Sequence, residues 1–248
     1  MKILRIFLIL VLLCASTGSA RAQDPVAWLS YRDQYRAMLW FEKYAQPKHL
    51  IQNHLQVQGD FSKLRLSLVG KSMRLELPLD DSGRIVLPLL KAQYDDNAEL
   101  HLNQKLDRLS LKPRVSIVQR PDGNYELSDL RAACQQVQDY QNWRDASVLR
   151  GKKCSGVRFV FSKKAVVSAP QLRKADQSLT AWPLQDGVAF WGDQPDSKPD
   201  SKPDSKPDNK PENKQGDFLV ATFNFASLPD KGQVLTRSAP VAIAAWFE

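Results

Sequence analysis

The residues of this chain best suited to chemistry lie between positions 134 and 158. Cys134 and Cys154 bracket Trp143, Arg144, Arg150, Lys152 and Lys153, and Arg158 follows four residues after the second cysteine. An indole among guanidinium and ammonium groups suits an anionic glycan or a carboxylate, through cation–π contact and charge-assisted hydrogen bonds. The plainer alternative is a solvated basic rim. A second pair, Trp182 and Trp191, flanks the segment 187–191 and is read either as a binding pair or as hairpin packing.

Other chemistries lack their parts. The three histidines are His49, His54 and His101. The first two are five apart, which does not align them on one helix face, and no metal site is expected. Asp80-Asp81 and Asp95-Asp96 lack the alternating acidic loop with a trailing glutamate that calcium requires, and aspartates in tight turns have backbone hydrogen bonds of their own to make. No G-x-S-x-G elbow, G-x-G-x-x-G or P-loop occurs, so neither a serine hydrolase nor a nucleotide cofactor is indicated. Two distant carboxylates could still pair as in a glycosidase. A hydrolase acting on an envelope polymer through a composite acidic site therefore stands as the alternative to a non-catalytic binding protein.

The elements that must hold these residues can be traced from periodicity. Trp28, Tyr31, Tyr35, Met38, Phe41 and Tyr44 recur at steps of three and four, which predicts an amphipathic helix over 25–45, opened by Asp24 and Pro25 and stopped near Pro47. Its aromatic stripe suits packing on a sheet, or a gripping surface for sugar or peptide. From about 53 the period becomes two. Leu64, Leu66 and Leu68, then Met73, Leu75, Leu77 and Leu79, then Ile85, Leu87 and Leu89 alternate largely with polar residues. Leu100, Leu102, Val115 and Ile117 continue the pattern. Short alternating strands separated by Gly, Asp and Asn turns predict a mainly β (α+β) chain with an antiparallel β-sandwich-like core. Pro-Asp-Gly at 121–123 marks another turn. Ser128 is placed to cap a second helix whose stripe is Leu130, Ala133, Cys134, Val137 and Tyr140. Strands are expected at 156–161, 187–191, 218–225, 232–237 and 241–247.

Compartment follows from the first residues. Lys2 and Arg5 precede eight apolar residues, 6–13, and Ala20-Arg21-Ala22 offers a cleavage site. This is the plan of a secretory signal peptide over 1–22, too short in its apolar part to span a bilayer. Lipid anchoring through Cys14 is the alternative, although Leu13 is larger than the residue that normally precedes a lipidated cysteine. Cleavage leaves 23–248 as a single mainly-β domain, periplasmic or secreted, with no later membrane span. It carries 32 basic and 27 acidic residues, an excess of five. Such a chain is not expected to meet nucleic acid, and its partners would be an anionic envelope glycan, a lipid headgroup or another protein. In an oxidising compartment Cys134 and Cys154 read as one disulfide. The C-x-x-C spacing of a redox pair is absent.

Residues 195–214 read PDSKPDSKPDSKPDNKPENK, five tetrads of Pro, acid, Ser or Asn, and Lys. Proline at every fourth position forbids a helix and removes ladder donors, and no apolar residue is present to bury. The expectation is a disordered, extended insertion over 193–216 that decorates one loop. Fully stretched, the tetrads would reach about 60 Å. Lengthening a loop adds little closure entropy, so a fold tolerates it.

Four stretches look familiar. They are YRDQYRAMLWFEKYAQPKHLIQNHLQV, LRLSLVGKSMRLELPLDDSGRIVLPLLKAQYDDNAELHLN, PRVSIVQRPDGNYELSDLRAACQQ and DKGQVLTRSAPVAIA. Together they resemble a family of small exported proteobacterial proteins of unknown function. The resemblance implies export from a Gram-negative cell and one cooperative fold, and it implies no site residues.

Overall fold

A computed structural model describes residues 25–58, 61, 63–105, 109–193 and 218–248. The expected signal peptide and the tetrads of 195–214 lie outside them. Among the described residues the chain is mainly β, with fifteen strands in four antiparallel sheets and three α-helices. No described helix is long and apolar enough to cross a membrane.

The N-terminal half begins with a correction. Val26–Ser30 is a strand, β1, and helix α1 starts only at Tyr31 and ends at Lys43. Asp24-Pro25 does not open the helix. Residues 26–30 pair antiparallel with β6 (Glu99–Leu102), and ladder bonds outweigh a local capping signal. Ser30 takes the N-cap position without a side-chain hydrogen bond. Tyr31, Met38 and Phe41 face inward as the stripe requires, and Tyr44, just past the helix, is buried as well. Strands β3 (Leu66–Val69) and β4 (Arg74–Leu77) extend the first sheet in the order β1-β6-β3-β4. Leu66, Leu68, Leu100 and Leu102 are opposed in register and fully buried. Each such leucine contributes about 1.5–3 kcal/mol. Ile85 and Leu87 keep their alternation, but only Arg84–Ile85 forms a strand, β5; Pro88 has no amide to donate.

A second sheet, β5-β2-β7, links two cores. Strand β2 is Ile51–Gln58 and β7 is Ser110–Ile117, paired in register along their full length. One face carries Ile51, Val115 and Ile117 into the larger, C-terminal core and Leu55 and Val57 into the N-terminal one. The other face is polar, yet His54, Gln56 and Ser116 on it are buried.

The C-terminal half is built around β9 (Cys154–Ser162), which pairs with both β13 (Phe218–Asn224) and β15 (Ala242–Phe247). A third sheet runs β12-β13-β9-β15, with β12 at Gln185–Gly187. The fourth runs β11-β10-β14-β8. Its members are β8 (Asn124–Glu126), β10 (Gln171–Lys174), β11 (Leu179–Ala181) and β14 (Gly232–Leu235). Gly123, closing the Pro-Asp-Gly turn, has φ +66° and sits against the Thr236 carbonyl, where a side chain would collide. Helix α2 (Lys91–Asp95) is a single short turn, and α3 spans Leu127–Asp145. Ser128 is not its cap. Strand β8 runs straight into the helix, so Glu126 occupies the N-cap position. The expected strand at 187–191 is also replaced. The chain leaves β12 at Gly187 and turns, burying Ala189 and Phe190 beneath it.

Candidate binding cleft

Helix α3 carries its predicted stripe inward: Leu130, Ala133, Cys134, Val137 and Tyr140 are all buried. Cys134 and Cys154 form a disulfide with Cα atoms 5.9 Å apart, within the ordinary bridging range. The bridge ties the middle of α3 to the start of β9. Gln138 reinforces it, its Oε1 accepting from the Cys154 amide at 2.8 Å.

The six predicted ligand residues around this bridge do not converge. Trp143 joins an aromatic cluster with Trp40, Tyr44 and Tyr140, at ring separations of 5.8, 5.2 and 6.1 Å. Arg150, Lys152 and Lys153 are exposed on the loop after α3. Lys153 exchanges backbone hydrogen bonds with Glu248. Arg158 lies on the opposite face of β9, only 8% exposed. Its Nε donates to Thr222 Oγ1 and its Nη1 to the Val188 carbonyl, both at 3.0 Å. The guanidinium carbon sits 3.5 Å from the centre of the Trp246 ring. Burial lowers its pKa to about 10. Of the two tryptophans near the insertion, Trp182 is a packing residue, stacked on Phe223 at 4.7 Å and donating to the Thr222 carbonyl.

Arg144 and Trp191 do meet, in a half-open cleft of about 240 Å³ between α3, β7 and the turn after Phe190. Its floor is apolar, formed by Val115, Val137, Leu149 and Phe247. Its polar groups are Lys112 and Arg114 from β7, Gln141 and Arg144 from α3, and Asp193. Trp191 is fixed edge-on to Phe247 at 5.5 Å. Asp193 is already engaged, paired with Arg114, whose Nε donates to Gln56 Oε1 at 3.0 Å. Lys112 and Arg144 form no ion pair among the described residues. Asp145, beside Arg144 in the chain, accepts from the amide and hydroxyl of Ser147 instead. Among the described residues of the lining, three cations therefore face one neutralised carboxylate, with Asp145 acting on Arg144 from outside it. Gln141 Oε1 is buried in the cleft wall and has no donor among the described residues.

Behind the cleft lies a buried polar seam. His54 is 1% exposed, its Nδ1 is 3.5 Å from Ser116 Oγ and its ring is 5.9 Å from Phe190. Burial, with the Arg84 and Arg114 guanidinium groups adding repulsion, lowers its pKa to about 3, so it is neutral. Gln56 bridges the seam, donating to the Ser82 carbonyl at 3.0 Å. The seam holds Arg114 from behind and so presets the cleft's geometry.

Sequence reasoning missed Lys112, Arg114, Gln141 and Asp193. The alternation of Lys112, Arg114 and Ser116 is visible in the sequence, but it reads as an ordinary wet strand face. Only the return of 188–193 across that face turns it into a wall. No family model, no curated protein and no solved structure matches this chain, so its site stands on its own geometry.

Proposed function

We propose that the chain is an exported, non-catalytic cell-envelope protein, a single sandwich-like domain over 23–248, that binds a hydroxyl-bearing anion in the cleft. The observation that carries this reading is the charge imbalance around an apolar-floored cleft: Lys112 and Arg144 stand at its exposed rim with no ion pair among the described residues, and Asp193 is paired with Arg114. An anion supplies the missing charge, and a hydroxyl supplies the donor that Gln141 Oε1 lacks. A sugar acid carries both groups. Apolar walls with a few convergent polar groups are the usual make-up of a small-ligand site. The leader-like 1–22 and the family resemblance support export, and the disulfide accords with an oxidising compartment. The hydrolase alternative needs two cooperating carboxylates. Among the described residues the cleft lining offers Asp193 alone.

The test is a thermal-shift titration of the oxidised, leader-free protein with galacturonate, inorganic phosphate and galactose. At a hundredfold excess over Kd, a bound ligand stabilises by about 2.7 kcal/mol. For a chain of this size that is about 5–10 °C. Galacturonate is expected to give a saturable rise that galactose does not, and Lys112→Ala with Arg144→Ala is expected to remove it. The proposal fails if no anion gives a saturable rise, or if the double variant responds as the parent does.

A further inference from the structure

Two of the most exposed large side chains of the protein stand side by side. Trp40, on α1, is 52% exposed and Trp143, on α3, is 46% exposed, with ring centres 5.8 Å apart and planes at 67°. They come from helices about a hundred residues apart in sequence, so neither helix alone accounts for their meeting. Trp143 is braced from behind. Tyr44 and Tyr140, both buried, hold Trp143, and Tyr140 meets Tyr44 at 5.3 Å. Lys43 Nζ lies 5.9 Å from the Trp40 ring centre, placing positive charge at the edge of the pair. The pair adjoins the cleft through one residue. Arg144 follows Trp143 in the chain, lines the cleft, and lies near enough to the Tyr140 hydroxyl to offset part of the effect of its burial.

We infer that the cleft and the Trp40–Trp143 pair form one extended site for an acidic polysaccharide, with one uronate ring in the cleft and neighbouring rings laid against the two indoles. The inference rests on the cleft reading and extends it from a single sugar acid to a polymer. A pyranose has a flat face of C–H groups and a polar edge. The face suits the negative face of an indole, and the edge remains in water. Trp143, half-exposed and braced on its inner side, presents such a face. Two rings set at a steep angle make a corner, which accommodates the bend between successive sugars. Lys43 and Arg144 flank the corner with cations, matching a chain that carries one carboxylate per ring. An anionic bilayer would also attract tryptophan and lysine. The steep angle between the indoles favours a thin polymer over a flat surface.

The experiment compares galacturonate with tetragalacturonate, and maltotetraose as the neutral control, by calorimetric titration of the oxidised protein. The tetramer is expected to bind at least about tenfold more tightly than the monomer, the gain of one well-stacked ring. Trp40→Ala and Trp143→Ala are expected to remove that gain. Trp143→Phe, which keeps the brace against Tyr140, is expected to retain part of it. Monomer binding with no gain for the tetramer overturns this inference and leaves the cleft reading intact. Absence of both overturns both. A gain that survives the tryptophan substitutions overturns the assignment to the indole pair. Binding to phosphatidylglycerol vesicles that depends on Trp40 and Trp143, without a tetramer gain, replaces the polymer with a membrane.

Discussion

His54 makes stability depend on pH in a window where few other groups titrate. Its imidazole is buried, neutral, and flanked by Arg84 and Arg114, with a folded pKa of about 3. In the unfolded chain the value returns to about 6.5. Between these limits the unfolded state holds a proton that the folded state refuses, so stability is undiminished above pH 6.5 and falls as pH drops toward 3. At pH 5 the loss is about 2 kcal/mol, approaching 1.4 kcal/mol per further unit. The carboxylates whose pKa is lowered, at Asp81, Asp122, Asp145 and Asp176, lose their contribution only below their ordinary value near 3.8. They therefore leave the range from pH 7.5 to 5 clear. The assay is urea unfolding followed by tryptophan fluorescence at pH 7.5, 6.5, 5.5 and 5.0, on the parent and on His54→Gln. Glutamine fills much of the same space and does not titrate. The variant is expected to be less stable at pH 7.5 but to lose about 2 kcal/mol less on going to pH 5. Parallel pH profiles for the two proteins would refute the assignment, whatever their difference at neutral pH.

Three further outcomes test the supports of the fold. Reducing the Cys134–Cys154 bridge, which closes a sequence separation of 20, is expected to lower stability by about 3 kcal/mol; an unchanged urea midpoint in dithiothreitol would show that the bridge does not constrain the chain. Asp193→Asn leaves the Arg114 guanidinium uncompensated in a setting where the two side chains are 9% and 15% exposed, and is expected to cost about 3 kcal/mol. Asp33→Asn, which breaks the exposed pair with Arg36, is expected to change the unfolding midpoint by less than about 0.5 kcal/mol.

The parts of this fold that could be read from sequence are those set by local patterns. Leu66 and Leu68, opposed to Leu100 and Leu102, obey period two because one face of their sheet is buried. The stripe from Leu130 to Tyr140 obeys the helical period for the same reason. The segment 26–30 was not readable in this way. Its caps spell helix, and its strand state depends on a partner more than seventy residues away. Phe190 was hidden for a similar reason, because its burial under the β12 turn answers to β7 and not to its neighbours. The cleft shows the same limit more sharply. Arg144 and Trp191 were legible as residue types, but Lys112, Gln141 and Asp193 became partners only when three distant segments closed on one another. The basic residues at 150, 152, 153 and 158 stood together in the sequence. In the structure a strand's two faces and a loop separate them.

The pairings that close these sheets also set a time scale. Val26 lies opposite Leu102, Tyr125 opposite Val234, and Gln119 donates to the Pro240 carbonyl 121 residues away. Each of these contacts requires a long loop to close before any ladder bond rewards it. Helices α1 and α3 can form within microseconds, whereas sheets of this connectivity form over about milliseconds to seconds. Newly made chain therefore spends a long interval as helices joined by unpaired strands. Export, as proposed above, would use that interval, with the sheets closing after passage.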